Sequence, residues 1–239
     1  MTTLNGQIEP LAIAARSAAR ILAGTKREDK DRALNAIADH LLAHESEILA
    51  ANNEDVLRSQ AEGISESLID RLKLNPKRIA DIANGARQIA ALPDPVGRVI
   101  RERTLENGLH LKQIAVPFGV VGMVYEARPN VTVDAAVILI KAGSAALLRG
   151  SSTAAKSNEV LVNVMRSAIT SVGLPADIVQ LVSSHDRSTV RELLNARGLV
   201  DLVIPRGSAA LIRTVVDESS VPTIETGAGV CHVYIDKDA

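Results

Sequence analysis

Two short segments of this chain bring cations, hydroxyls and turn backbone together. Leu148-Arg149-Gly150-Ser151-Ser152-Thr153 follows an apolar run and leads into a helical pattern. A guanidinium, two hydroxyls and the free amides of a helix start therefore converge at one strand end, where they could hold a phosphate. Helix capping by Ser or Thr beside an exposed Arg is the plainer reading of that turn taken alone. Ile204-Pro205-Arg206-Gly207-Ser208 repeats the arrangement, and two such turns in one sheet favour an anionic ligand. Neither G-x-G-x-x-G after a strand nor G-x-x-x-x-G-K-S/T occurs, so both common phosphate cradles are missing.

Cys231 is the one cysteine and is followed by His232, which invites a Cys/His nucleophile. If Val230 to Asp236 forms a strand, Cys231, Val233 and Ile235 share one face and His232, Tyr234 and Asp236 the other, so thiol and imidazole point apart. A thiol among aliphatic neighbours keeps a high pKa, and a core role for Cys231 is expected over a catalytic one. His40, His44, His110 and His185 sit in separate segments without metal-ligand spacing, and no metal site is expected.

The elements that would position these residues follow from periodicity. From Gln7 to about Ala91 the apolar residues keep helical spacing, as in Leu34, Ile37, Ala38, Leu41 and Leu42, and four or five helices are expected. Breaks are expected at Gly24, Asn52-Asn53, Gly63 and Asn75-Pro76. Arg98 to Leu105 and Leu109 to Val116, joined by Glu106-Asn107-Gly108, read as a β-hairpin too polar for a core. Beyond Phe118 strands are expected at Val120-Val124, Ala145-Leu148, Ile178-Leu181 and Leu199-Ile204. Helices are expected at Val131-Ala142, Thr153-Val172, Asp186-Asn195 and Ser208-Asp217. Short apolar strands alternating with helices predict an α/β fold with a parallel sheet, whose ligands bind at the carboxyl ends of the strands.

At 239 residues and 46% hydrophobic content the chain can bury a large core. With 27 basic against 28 acidic residues and only three aromatics, nucleic-acid binding is not expected. No apolar run approaches the length of a bilayer crossing. The absence of a secretion-signal pattern makes the cytoplasm the expected compartment.

The segment Val116 to Thr132 (VPFGVVGMVYEARPNVT) closely resembles the γ-glutamyl phosphate reductase family, a branch of the aldehyde dehydrogenase superfamily. So do Gly143 to Ser157, Asp201 to Ser208 and Glu225 to Asp236 (ETGAGVCHVYID), and the likeness runs along the whole chain. It implies a Rossmann-like cofactor domain that dispenses with the glycine fingerprint. It also implies NADPH-dependent reduction of γ-glutamyl phosphate to glutamate semialdehyde in proline biosynthesis, through a cysteine thioester. The family carries that cysteine in a later motif than the block containing Cys231, so the chain is expected to stop before its nucleophile.

By the same resemblance, Asn130 matches the oxyanion asparagine, a donor typically worth about 3 to 4 kcal/mol in the transition state. Glu225 matches the superfamily's general base, for which thioester reduction has less need. Arg149, Ser151 and Ser152 match the adenosine-ribose region. Without a carboxylate at position 152 they favour NADP over NAD. Gly207 and Ser208 match the turn that meets the pyrophosphate, and Thr226 and Gly227 complete the implied cofactor set. Arg128 is close enough in sequence to Asn130 to be a candidate for glutamate recognition.

The implied organisation is N-terminal helices of the cofactor domain over 1–96, an oligomerisation-type hairpin over 97–116, the NADPH-binding α/β domain over 117–224 and the start of a catalytic domain over 225–239. Homo-oligomers and contact with glutamate 5-kinase are the partners the resemblance implies. Two other readings stand beside this one: a non-catalytic NADPH-binding module, and an NAD-dependent dehydrogenase of a free aldehyde.

Overall fold

In a computed structural model of the chain, residues 6–184, 186, 188–225 and 232–238 are described. Five helices come first: α1 (Ile8–Ala23), α2 (Arg27–Ala43), α3 (Glu45–Ala61), α4 (Glu66–Leu72) and α5 (Pro76–Ala91). A hairpin of β1 (Val99–Thr104) and β2 (His110–Ile114) follows, and then β3 (Val120–Tyr125), α6 (Pro129–Lys141), β4 (Ala145–Arg149) and α7 (Ala155–Ser171). The described chain continues with β5 (Val179–Leu181), α8 (Ser188–Leu194), β6 (Leu202–Arg206) and α9 (Ala209–Glu218). Among the described residues no helix is long and apolar enough to cross a membrane.

The sheet has the order β5-β4-β3-β6, and every pairing in it is parallel. All six residues of β3 are buried, as a strand covered on both faces requires. Its side chains alternate between two cores. Val121, Met123 and Tyr125 join α2, α5, α6 and α7 on one face, whereas Val120 and Val124 join α1, α8 and α9 on the other. Gly122 has no side chain to place there because a Cβ would lie 3.2 Å from Leu193. The chain winds from β3 out to β5 and then returns to lay β6 on the opposite side of β3. The direction of winding therefore reverses between β3 and β6, which opens a crevice at their carboxyl ends.

Several expected boundaries move. No break falls at Asn52-Asn53, which lies inside α3. The Asn52 amide is buried, donating to the Leu72 carbonyl at 2.9 Å and accepting from the Leu74 amide at 2.7 Å, so it joins two segments instead of ending a helix. The last strand begins at Leu202 and not at Leu199. Asp201 accepts from the Val120 amide at 2.8 Å and pairs with Arg16 at 3.1 Å, and these bonds hold the chain in a turn until β3 is reached. A 3-10 turn over Ser152–Ala154 precedes α7, and another over Ala176–Ile178 precedes β5. Pro129 at the first helical position starts α6 two residues early. The hairpin is exposed along both strands. Within its turn only Gly108 has positive φ, at 83°, which fits a three-residue loop better than a two-residue Asn-Gly turn. The strand expected over Val230 to Asp236 does not form across 232–236, where Val233 and Ile235 are exposed and no sheet neighbour among the described residues pairs with them. Cys231 lies outside the described residues.

The hairpin leaves the body beside an ion-pair cluster. Lys30 is buried and its Nζ lies 2.7 Å from Asp94 Oδ2, while Asp94 Oδ1 accepts from the Val96 amide at 2.9 Å. Lys141 pairs with Asp31 and donates to the Ala90 carbonyl at 2.8 Å. Burial opposes ionisation of Asp94. The hydrogen bond from Lys30, the Val96 amide and the charges of Lys30 and Lys141 outweigh it and hold the carboxyl below its usual range. A lowered folded pKa gives stability that is present above the unfolded pKa and lost as pH falls through the folded one. Asp94→Asn is expected to cost about 3 kcal/mol or more at neutral pH, because it strands a buried ammonium. The loss should shrink in acid, as read by urea denaturation across pH.

Candidate functional site

The paired strands β3 and β6 end side by side. Tyr125 is in register with Arg206, and the Glu126 amide donates to the Arg206 carbonyl at 3.3 Å. Helix α9 begins at this point. Ser208 is its N-cap and accepts from the Leu211 amide at 3.4 Å. The Ser208 amide donates to Glu126 Oε1 at 2.9 Å. This approach needs Gly207, since a Cβ there would stand 2.7 Å from the Glu126 carboxyl carbon. The start of α9 thus already takes an anionic oxygen, as the dipole and unsatisfied amides of a helix terminus favour.

The turn after β4 is built differently. Ser151 accepts from the Thr153 amide at 3.2 Å. The buried carboxylate of Asp55, from α3, accepts from the amides of Lys156 at 3.3 Å and Ser157 at 2.8 Å. Arg58 Nη2 lies 2.7 Å from Asp55 and donates to the carbonyls of Ser152 and Thr153, each at 3.0 Å. The amides of Thr153, Lys156 and Ser157 are therefore already satisfied. What reaches outward is side chain: the Arg149 guanidinium, which donates to the Gly150 carbonyl at 2.9 Å and the Asp186 carbonyl at 3.4 Å, and the Ser151 and Ser152 hydroxyls. The Asp186 carboxyl is held below its usual range by the hydroxyl and amide of Ser188, with a smaller contribution from Arg149.

A buried polar relay fixes this turn to the switch-point strand. Tyr125 Oη lies 2.8 Å from Thr132 Oγ1, which donates to Asn158 Oδ1 at 2.7 Å. Burial pushes the Tyr125 phenol well up, so it stays a neutral donor. A Cβ at Gly150 would fall 2.3 Å from Asn158 Nδ2 and 3.0 Å from the Tyr125 ring. Gly150 is thus required by space.

Asn130 sits in the first turn of α6, half-buried, with Nδ2 donating to Asp134 Oδ2 at 3.0 Å. Glu225 is exposed. Its chain arrives beside β6, where Val203 donates to the Pro222 carbonyl at 2.8 Å and accepts from the Ile224 amide at 3.1 Å. Thr226 and Gly227 lie outside the described residues.

Three clefts run along the carboxyl edge and share walls. The largest, about 810 Å³, is bordered by Arg149, Ser151 and Ser152 on one side, Leu211 and Thr214 on another, and Glu126 between them. The next contains Glu126, Arg206, Gly207 and Ser208 together with Arg71 and Arg128. Those two arginines also border the third cavity, of about 490 Å³, which holds Asn130 and Asp134. The fold thereby lines up Arg149, Ser151, Ser152, Gly207, Ser208 and Asn130 in one path. Asp55, Arg58, Glu126, Asp134 and Arg71 were not singled out by sequence reasoning. Asp55 meets its partners across 102 residues, for which no local signal exists, whereas Glu126 lay within a segment already marked.

A doubly wound parallel sheet with such a path at its switch point defines a nucleotide-binding α/β domain. The chain matches the aldehyde dehydrogenase family over residues 5–239 and belongs to it. Membership implies a nicotinamide nucleotide as cofactor. Among solved structures, the γ-glutamyl phosphate reductase of Thermotoga maritima is 39% identical, with a TM-score of 0.91 over 97% of this chain and 56% of that one. The γ-glutamyl phosphate reductase of Saccharomyces cerevisiae is 31% identical, with a TM-score of 0.84 over 92% of this chain and 56% of that one. The chain thus spans little more than half the length of either. A probable aldehyde dehydrogenase of Listeria monocytogenes, at 18% identity and a TM-score of 0.70 over 93% of this chain and 46% of that one, shares the fold.

The residues present fit a dinucleotide. The helix start at Ser208 already holds an anionic oxygen, and the widest cleft joins a guanidinium and hydroxyls to the apolar flank of Leu211.

Asp134 supplies the test of this geometry. Burial raises its carboxyl pKa against the opposing effects of the Asn130 hydrogen bond and the Arg206 charge. A raised carboxyl pKa favours the folded state in acid, and that advantage is lost as pH rises through the folded value. Asp134→Asn keeps an acceptor for Asn130 and is never ionised. Relative to the parent it should gain stability as pH rises from the acid range to neutrality. Denaturation midpoints compared at pH 4 and pH 8 check this, and an unchanged difference between the two proteins would refute it.

Proposed function

We propose that the protein carrying this chain is a cytoplasmic γ-glutamyl phosphate reductase of proline biosynthesis, and that residues 117–224 form its NADPH-binding domain. The observation that carries the reading is the 39% identity to the Thermotoga maritima reductase across nearly the whole chain. The N-terminal helices over 1–96 complete the cofactor domain in this reading, and residues 225–239 begin the catalytic one.

When bound, NADPH supplies the hydride. The chain's own residues bind and orient. The Ser208 amide, reached past Gly207, takes the dinucleotide phosphates once Glu126 turns away from it, and Thr226 and Gly227 belong to the same cofactor set. Arg149, Ser151 and Ser152 receive the adenosine ribose. Their support for NADP over NAD is chemical: a guanidinium and neutral hydroxyls attract a 2′-phosphate that a carboxylate at position 152 would repel. Asn130, with Asp134 holding one of its amide hydrogens, directs the other toward the carbonyl oxygen of the acyl group, where charge builds during displacement. Glu225 has no required step in this direction. The nucleophile is a thiol that the resemblance places in a later motif than Cys231.

Homo-oligomers assembled through the hairpin belong to the same proposal, supported by the exposure of Val99, Ile100 and Ile114 on it. So does transfer of the labile acyl phosphate from glutamate 5-kinase. The experiment is a cofactor comparison on the complete protein. Arg149→Glu should weaken NADPH much more than NADH, by roughly tenfold or more for one lost charge-assisted contact. Equal weakening of both would remove Arg149 from the 2′-phosphate, and no reduction of γ-glutamyl phosphate by the parent protein would end the assignment.

A further inference from the structure

The cavity around Asn130 carries an unbalanced charge. Its acids are engaged: Asp70 pairs with Arg78 at 3.0 Å, Asp81 with Lys77 at 3.5 Å, and Asp134 accepts from Asn130. Arg78 is spent on Asp70 and on holding the end of α4, where it donates to the carbonyls of Asp70 and Lys73 at 2.5 Å each. Arg71 and Arg128 line the same cavity. Unlike Arg16, Arg58, Arg78 and Arg166, which each donate to a carboxylate, neither has a hydrogen-bond or ion-pair partner for its guanidinium among the described residues. They come from different elements, Arg71 from α4 and Arg128 from the N-cap of α6. They also form the wall common to the Asn130 cavity and the cleft of Gly207 and Ser208.

We infer that Arg71 and Arg128 form the subsite for the phosphoryl group of the acyl phosphate. The inference rests on the proposed function and deepens it. In an acyl phosphate the phosphorus is one bridging oxygen away from the carbonyl carbon. A site that holds the carbonyl oxygen at Asn130 must therefore receive a dianionic group beside it. The two guanidiniums bordering that position match a phosphate's geometry as bidentate donors. When a cysteine thiolate forms the S–C bond, the C–O bond to the phosphoryl group breaks and its electron pair leaves on the phosphate oxygen. Arg71 and Arg128 hold that charge and release inorganic phosphate. Their place between the two clefts keeps the leaving group apart from the dinucleotide phosphates, which have their own donor at Ser208.

The test runs the reaction backwards on the complete protein, with glutamate semialdehyde, NADP and inorganic phosphate as separately varied substrates. Arg71→Gln and Arg128→Gln should each raise the KM for inorganic phosphate by roughly tenfold or more, the scale of one lost charge-assisted hydrogen bond. The KM for NADP should stay in place. Arg71→Lys and Arg128→Lys keep the charge without the fork and should fall between. Titration of the protein with inorganic phosphate alone should give heat in the parent that the Gln variants lose. A rise confined to the semialdehyde KM would assign the pair to the carboxylate, and a rise confined to the NADP KM would assign it to the nucleotide. Either result overturns the inference, as does an unmoved phosphate KM. A parent protein that reduces no NADP in the presence of phosphate and semialdehyde sinks the proposed function itself, whereas a working parent with unaffected variants sinks only the subsite.

Discussion

The parallel pairing of β3 with β6 is the contact on which the site depends. It brings Tyr125 and Arg206 into register, so that two loops leave adjacent strand ends in the same direction. One loop carries Glu126 and Arg128 and leads to Asn130 in the first turn of α6, and the other carries Gly207 and Ser208. Neither loop alone makes a cleft. The pairing is itself secured at its start, because Asp201 accepts the Val120 amide and Arg16 holds Asp201 from α1. An ion pair at the amino end of the sheet thereby sets the register of chemistry-bearing residues at the carboxyl end.

Asp55 and Glu126, two of the carboxylates that serve helix starts in this fold, do so with opposite consequences. Asp55 is fully buried and bonded to the first amides of α7, so that terminus is closed and the turn before it is rigid. In the proposed function, that closed turn presents Arg149, Ser151 and Ser152 to the nucleotide as fixed side-chain donors. Glu126 is exposed and makes one bond to the start of α9, an arrangement an incoming phosphate can replace. The difference in burial separates a structural cap from an exchangeable one. Both are the same physics of unsatisfied amides at a helix start.

Much of this architecture was legible in the sequence where the local pattern and the tertiary demand agree. Val120 to Val124 and Ala145 to Leu148 are short, apolar and bounded by turn residues, and both form buried strands. Asn75 and Pro76 announce α5, with Asn75 accepting from the Arg78 amide at 2.7 Å. The pattern misled where a polar side chain has a distant partner. Asn52 looks like a helix breaker, yet it bonds Ser157 across 105 residues. Leu199 and Val200 look like strand, yet Asp201 withholds them from the sheet. The site followed the same division. The placement of Arg149, Ser151, Ser152, Gly207 and Ser208 beside the clefts was readable because a strand followed by a helix start has a local signature. Asp55 and Arg71 were not, because each arrives from a different part of the helical N-terminal region.

In the proposed function a dinucleotide is held at the carboxyl ends of β3, β4 and β6 by the start of α9 and the side chains of the β4 turn. Amide-resolved NMR of the isotopically labelled protein during titration with NADPH addresses it most directly. The largest shifts are expected at Glu126, Gly207 and Ser208 and across Gly150 to Ser152, with Gly119 and Ser144 at the other end of the sheet unmoved. Binding that leaves the first group in place and perturbs the second would put the nucleotide at the opposite end of the sheet.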